Sequence, residues 1–302
     1  MDDRYDVLGI GIVTVDDLIY LDHYPVPDSK MPVRARQRQG GGLTGTALVA
    51  AVRLGARTAF FGALGEDELS TFTLREFERE GVDCSAVLRR ADARPLYSTI
   101  IIDQSNGQRV ILFSTDINNI PRPEEITAEL VGRGRVLVTD YVAGLSGVKA
   151  ARLARALGIP VVTDIERPPA PGVDELLVLT DHLIIGRDLA RQLTGEGDPQ
   201  QAVQSLAKTP RQVTVVTAGA LGCWYCLQDG AVAHVPALKV KVVDTTGCGD
   251  VFHGAYAASI ARGESIPRAI QVATVTAGIK AAYPGGLNGI PRRKDVDRVL
   301  AE

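Results

Sequence analysis

Short apolar runs alternate along this chain with longer apolar or amphipathic stretches that end in glycine, the pattern of strands and helices taken in turn. Tyr5–Val13 is a near-continuous apolar run with two glycines, which predicts a strand buried on both faces. Leu43–Leu54, rich in Ala, Val and Leu and stopped by Gly55, predicts a buried helix. Thr58–Gly62 reads as a strand. Glu66–Arg79 reads as a helix with acids in its first turn and Gly81 after its end. From Val136 the alternation is regular: strand Val136–Thr139, helix Ser146–Leu157, strand Val161–Asp164, a short helix near Val173–Leu179 and strand His182–Ile185. Short connections between such elements predict right-handed crossovers and a largely parallel sheet covered by helices.

Some segments fit that sheet poorly. Leu18–Leu21 and Val33–Gln39 are short and polar-flanked, and Tyr97–Ile102 with Arg109–Phe113 reads as a hairpin around Gln104-Ser105-Asn106-Gly107. They predict a small separate sheet built from two discontinuous pieces. Further on, Val213–Thr217 is a strand, and Cys223–Leu227 with Ala231–Val235 forms a hairpin around Asp229-Gly230. The stretch Val240–Val243 then leads into Asp244-Thr245-Thr246-Gly247-Cys248-Gly249-Asp250, with a helix expected from about Val251 to Ala261.

Composition narrows the class without choosing the chemistry. Hydrophobic residues make up 45% of the 302 and charged residues 23%, as in an ordinary globular protein. A net charge of -3 gives no footprint for nucleic acid. No apolar run suits a bilayer, and Met1 is followed by Asp2 and Asp3, not by a leader pattern. The chain reads as cytoplasmic, without nucleic-acid or membrane partners. Cys84, Cys223, Cys226 and Cys248 show no disulfide spacing. Cys223 and Cys226 sit three apart in a strand and should face opposite sides, which argues against a redox pair.

The chemistry concentrates in the 244–250 run. Gly247 and Gly249 allow backbone conformations closed to other residues and let a ligand approach the main chain. The helix start that follows offers free amides and a positive dipole end, a site for an anion whose charge grows during reaction. Asp250 stands at its mouth, where the same helix end should keep it ionised and able to take a proton from a hydroxyl. Phosphoryl transfer needs little else. The plain alternative is an N-cap beside an ordinary turn.

The full run through Val251-Phe252-His253-Gly254-Ala255-Tyr256 resembles the C-terminal signature of the PfkB carbohydrate kinases, the ribokinase-like family. The likeness extends from about Tyr5 to about Val299. Gly11-Ile12-Val13-Thr14-Val15-Asp16 is similar to the family's first strand, which implies Asp16 against sugar hydroxyls. Gly41-Gly42 resembles its di-glycine at the sugar, with Thr46 where an asparagine is usual. Gly62-Ala63-Leu64-Gly65-Glu66-Asp67 resembles its GxxGxD turn. Thr217-Ala218-Gly219-Ala220-Leu221-Gly222 resembles its TxGxxG strand end, implying nucleotide phosphate contacts from Thr217, Gly219 and Gly222. Pro284-Gly285-Gly286, with Ala277 and Gly278 before it, resembles the adenine-side segment. Thr245 and Gly247 complete the implied nucleotide set.

The resemblance implies one ribokinase-like α/β sandwich over 1–302, with a β-sheet lid from about 17–39 and 95–115. It implies ATP and Mg²⁺, a small sugar acceptor, Asp250 as general base with amides of Gly247, Cys248, Gly249 and Asp250 on the phosphate, and a homodimer through the lid. A monovalent cation beside the Asp244 loop is common in the family, which admits potassium dependence. The family's NxxE motif falls on Gly186-Arg187-Asp188-Leu189, so no dedicated protein metal ligand is expected and phosphates and water would hold the magnesium. The triple glycine from Gly40, Thr46 and the 284–291 segment look closest to the ketohexokinase and sulfofructose kinase branch, which counts against ribose itself. Lys30, Arg34, Arg36 and Arg38 read as solvated charges or, more sharply, as contacts to an anionic sugar. A nucleoside kinase and a catalytically silent sugar-binding regulator stay open.

Overall fold

The computed structural model describes residues 3–106, 108–114, 118–167 and 171–302. In chain order its strands are β1 (Tyr5–Ile10), β2 (Thr14–Leu21), β3 (Ala35–Gly41), β4 (Thr58–Phe60), β5 (Ala63–Leu64), β6 (Leu88–Arg89), β7 (Leu96–Asp103), β8 (Arg109–Phe113), β9 (Gly134–Asp140), β10 (Val161–Asp164), β11 (His182–Gly186), β12 (Val213–Thr217), β13 (Cys223–Leu227) and β14 (Val232–Val235). The helices are α1 (Leu43–Arg53), α2 (Glu68–Glu80), α3 (Ala128–Gly132), α4 (Gly144–Ala156), α5 (Val173–Leu179), α6 (Arg187–Thr194), α7 (Pro199–Leu206), α8 (Cys248–Ala261), α9 (Ile266–Lys280) and α10 (Arg293–Leu300).

Eight strands form the main sheet in the order β14-β13-β12-β11-β10-β9-β1-β4. All pairs from β4 to β12 are parallel, and the β12–β13–β14 edge is antiparallel. Alternate side chains along each strand feed two cores. Ile184 faces the layer of α1, α8, α9 and α10, whereas Leu183 and Ile185 face the layer of α4 to α7. Cys223 and Cys226 likewise fall in opposite cores, so they are separate buried thiols. Helix over sheet over helix is the α/β sandwich the alternation predicts.

Caps set several boundaries. Asp67 accepts from the amides of Leu69 and Ser70, which starts α2 at Glu68 instead of Glu66, and Gly81 ends it in the left-handed region. The first strand stops at Ile10, not Val13, because the Asp140 carboxylate takes the amide of Ile12 at 2.7 Å and turns the chain away. That chain becomes β2, which pairs antiparallel with β3 and parallel with β7, while β8 pairs with β7. The result is a second, four-stranded sheet, β3-β2-β7-β8, with its own small core of Leu18, Tyr20, Ile100 and Ile102. Of its strands, β2 and β7 begin earlier than the sequence pattern suggested, at Thr14 and Leu96, and β3 begins later, at Ala35. Gly107 of the hairpin turn and Thr115 at the expected lid boundary lie outside the described residues.

Candidate active site

The parallel strands β9 to β12 end on one side of the sheet in Asp140, Asp164, Gly186 and Thr217, three polar residues and a glycine. Ligands of open α/β sheets bind outside these carboxyl ends. The start of α8 faces the same place. Gly247, with φ of 74°, is its N-cap, so the helix begins at Cys248 and Asp250 stands in its first turn. Only Gly247 needs the left-handed conformation. Gly249 has ordinary backbone, and the space beside it is open, which leaves the main chain accessible.

The turn uses one of the amides assigned to the phosphate. Cys248 N–H donates to the Thr245 carbonyl at 3.2 Å, and its thiol points at the carbonyl of Ala277. Among the described residues, no acceptor takes the amides of Gly247, Gly249 or Asp250. Three free donors therefore remain where four were expected.

The half-buried Asp250 carboxyl differs from expectation in its electrostatic surroundings. Burial pushes its pKa well above the usual carboxylate range, and the charges of Asp164 and Glu166 add to this. Desolvation and like charge thus outweigh the helix end. A raised pKa makes a carboxylate a stronger proton acceptor when it is ionised.

Asp164 was missed by the sequence reading. It is 6% exposed and meets Asp250, and its Oδ2 has no hydrogen-bond partner among the described residues. His253 Nδ1 lies 3.1 Å from that oxygen but is aligned on the Gly249 carbonyl at 2.9 Å, while its Nε2 meets the Ile184 carbonyl at 3.0 Å. Burial raises the Asp164 pKa, with Glu166 and Asp140 adding to it. A folded-state pKa above the unfolded one gives stability that is complete at low pH and is lost as pH rises through the folded value. The non-ionising variant Asp164→Asn should therefore melt higher than the native chain without ligands. The gap should widen from about pH 5 to about pH 8. A gap that stays constant in thermal melts would contradict this.

Asp16, on β2, is 8% exposed. Its Oδ1 accepts from Ser98 Oγ at 2.5 Å and Thr14 Oγ1 at 2.8 Å, and burial raises its pKa. Oδ2 lies beside Gly41, where any Cβ would collide with it. Gly42 follows as the N-cap of α1. Its neighbour Asp17 faces the other way and is claimed by Arg38 and Tyr97. Asp16 also contributes to the negative field at Asp250, so β2 and α8 converge. Thr46 is buried and turns its methyl toward Gly247, a packing position rather than an open contact.

A cleft of about 550 Å³ adjoins Asp250 and is lined by Asp164, Glu166, Asp188, Thr217, Gly219 and Gly249, among others. Thr217 and Gly219, expected at a nucleotide, both line this cleft. The other residues expected there do not line this cleft. Gly222 packs against the Val235 carbonyl, Gly278 against Leu238, and Thr245 accepts from Arg109 at 3.2 Å. Of the basic set, Arg34 pairs with Asp22, and Arg38 with Asp17 and Glu68. Lys30 is exposed between β2 and β3.

Residues 6–293 match the model of the pfkB family carbohydrate kinases. A bifunctional ribokinase/ribose-5-phosphate isomerase A of Fructilactobacillus sanfranciscensis is 26% identical over 97% of this chain, which spans 56% of that protein's length. A crystal structure of a candidate ribokinase from Agrobacterium tumefaciens superposes with a TM-score of 0.92 at 29% identity, covering 98% of this chain and 97% of that one. Arabidopsis thaliana ribokinase, solved with ribose and ATP, superposes with a TM-score of 0.85 at 22% identity over 99% of both chains. With the family model covering nearly the whole of a sandwich whose strand ends and helix start converge on one acid, the chain belongs to the pfkB family of carbohydrate kinases, phosphotransferases whose acceptor is an alcohol.

Proposed function

We propose that this protein moves the γ-phosphate of ATP onto a hydroxyl of a small sugar or sugar derivative, with Asp250 as the base. The observation that carries the reading is the position of Asp250. It stands in the helix turn that carries three unclaimed amides, feels the charge of Asp16 on the four-stranded sheet, and neighbours the cleft lined by Thr217, Gly219 and Gly249. The ribose and ATP bound to the Arabidopsis relative support that pairing of substrates.

Asp16 Oδ2 and the backbone at Gly41-Gly42 orient the acceptor's hydroxyls. Asp250 takes the proton from the attacking hydroxyl, and the amides of Gly247, Gly249 and Asp250 stabilise the developing phosphate charge. Thr217 and Gly219 anchor the nucleotide phosphates. Asp164, Glu166 and Asp188 line the nucleotide cleft, but among the described residues no three such side chains gather closely enough to hold a metal, so ATP phosphates and water would supply most of the ligands of a magnesium ion there. Bound there, Mg²⁺ would neutralise phosphate charge.

The four-stranded sheet acts as a lid that excludes water from the transfer. The hydrogen bond from Arg109 on β8 to Thr245 supports that role. The edge strand β8 exposes Val110, Ile111, Leu112 and Phe113, a surface suited to pairing with a second copy. Light scattering of Leu112→Lys beside the native chain tests this: a monomer against a dimer is expected, and an unchanged dimer removes the assignment.

The reading as a whole is tested by ADP release across plain ketoses, pentoses, phosphosugars and nucleosides. At least one sugar should drive stoichiometric ADP and sugar-phosphate formation. Clear sugar binding with persistent silence would favour the regulator, and a response confined to nucleosides would move the acceptor.

A further inference from the structure

Lys280, the last residue of α9, is fully buried. Among the described residues its one hydrogen-bond acceptor is the main-chain carbonyl of Asp244, 3.0 Å from Nζ. No carboxylate of the described residues pairs with it directly, and burial lowers its pKa. A buried ammonium held by a single neutral carbonyl is costly, and an apolar side chain of the same length would fill the space more cheaply. The charge therefore has a use beyond packing.

Its surroundings indicate that use. Asp244 opens the turn that carries the free amides, and every polar group of that residue is engaged. Its carboxylate accepts from Thr246 N–H at 2.8 Å and Gly285 N–H at 2.9 Å, and its own N–H donates to the Ala281 carbonyl at 3.2 Å. Lys280 closes the set on the carbonyl. The ammonium thus ties the C-terminal end of α9 to the anion-binding turn. Its positive charge acts on both ends of that turn, since Asp244 and Asp250 each feel it electrostatically. The negative end of its own helix favours a cation there.

A carbonyl oxygen beside a carboxylate, closed off from solvent, is what a monovalent cation would seek, and here the ammonium already fills it. The residues therefore do not fit the potassium ion that the family resemblance admits. We propose that Lys280 is a tethered cation that holds the anion-binding turn in place of a diffusible potassium ion. As a positioning residue it acts through the Asp244–Asp250 turn, and the inference rests on the kinase reading of that turn.

The test compares the native chain with Lys280→Met in potassium chloride and in tetramethylammonium chloride at equal ionic strength, reading both sugar-dependent ADP formation and thermal unfolding. Native turnover and melting should be the same in both salts. Lys280→Met should lose ~10-fold or more in turnover and regain several-fold with potassium or methylammonium, and its melting point should rise with either of these but not with tetramethylammonium. Activation of the native enzyme by potassium would overturn the proposal, as would a folded Lys280→Met of full activity or one that neither cation restores. If Lys280→Met does not fold, Lys280→Gln replaces it, and the native comparison still decides. Absence of sugar-dependent ADP formation by the native chain in either salt would count against the kinase reading instead, leaving the melting arm to judge the lysine.

Discussion

Replacing Asp250 with asparagine is expected to lower turnover by at least ~10²-fold, the scale of a general base, while the protein stays folded. The variant keeps the shape of the side chain and the first turn of α8, and removes the proton acceptor. Burial and the charges of Asp164 and Glu166 work against the ionised native form, so asparagine should, if anything, raise the melting point. Lost activity could then not be blamed on lost structure. Steady-state assays beside thermal melts check both halves, and near-normal turnover would remove Asp250 from the role of base.

The second large effect is expected at the other end of the site. Asp16→Asn should reduce kcat/KM for the sugar by ~10- to 100-fold, as expected when one or two hydrogen bonds to a buried charge are weakened by about 1.5–3 kcal/mol. Oδ1 is already spent on Ser98 and Thr14, so the free Oδ2 is what a sugar hydroxyl would use. An amide nitrogen there would face the hydroxyl as a second donor. The loss should fall mainly on KM, with sugar-independent ATP hydrolysis unchanged. An equal fall in that background rate would point to a general structural fault.

Much of this was legible in one dimension because it is local. The glycine-rich turn and Asp250 are contiguous, and apolar runs ending in glycine mark the strands and helices of the main sheet. The second sheet was legible because its segments break that rhythm. What escaped depends on the fold. Asp140 and Asp164 look like ordinary strand-end acids until parallel pairing brings β9 and β10 together, with the start of α8 beside Asp164. Their position after buried strands was the available signal. Lys280 is a single charge in an otherwise apolar or small stretch, which was a signal too, but the carbonyl it reaches lies in another segment. The electrostatic surroundings of Asp250 were misjudged because a helix end is visible in sequence, whereas acids gathered from other strands are not.

The central claim, that one acid and several free amides address the same phosphoryl group, is tested most directly by a crystal structure with ADP, magnesium, aluminium fluoride and an accepted sugar. The account predicts the planar fluoride within about 2.7–3.1 Å of the amides of Gly247, Gly249 and Asp250, and the Asp250 carboxyl against the attacking hydroxyl. A fluoride held elsewhere, or an Asp250 side chain turned from the sugar, would contradict it.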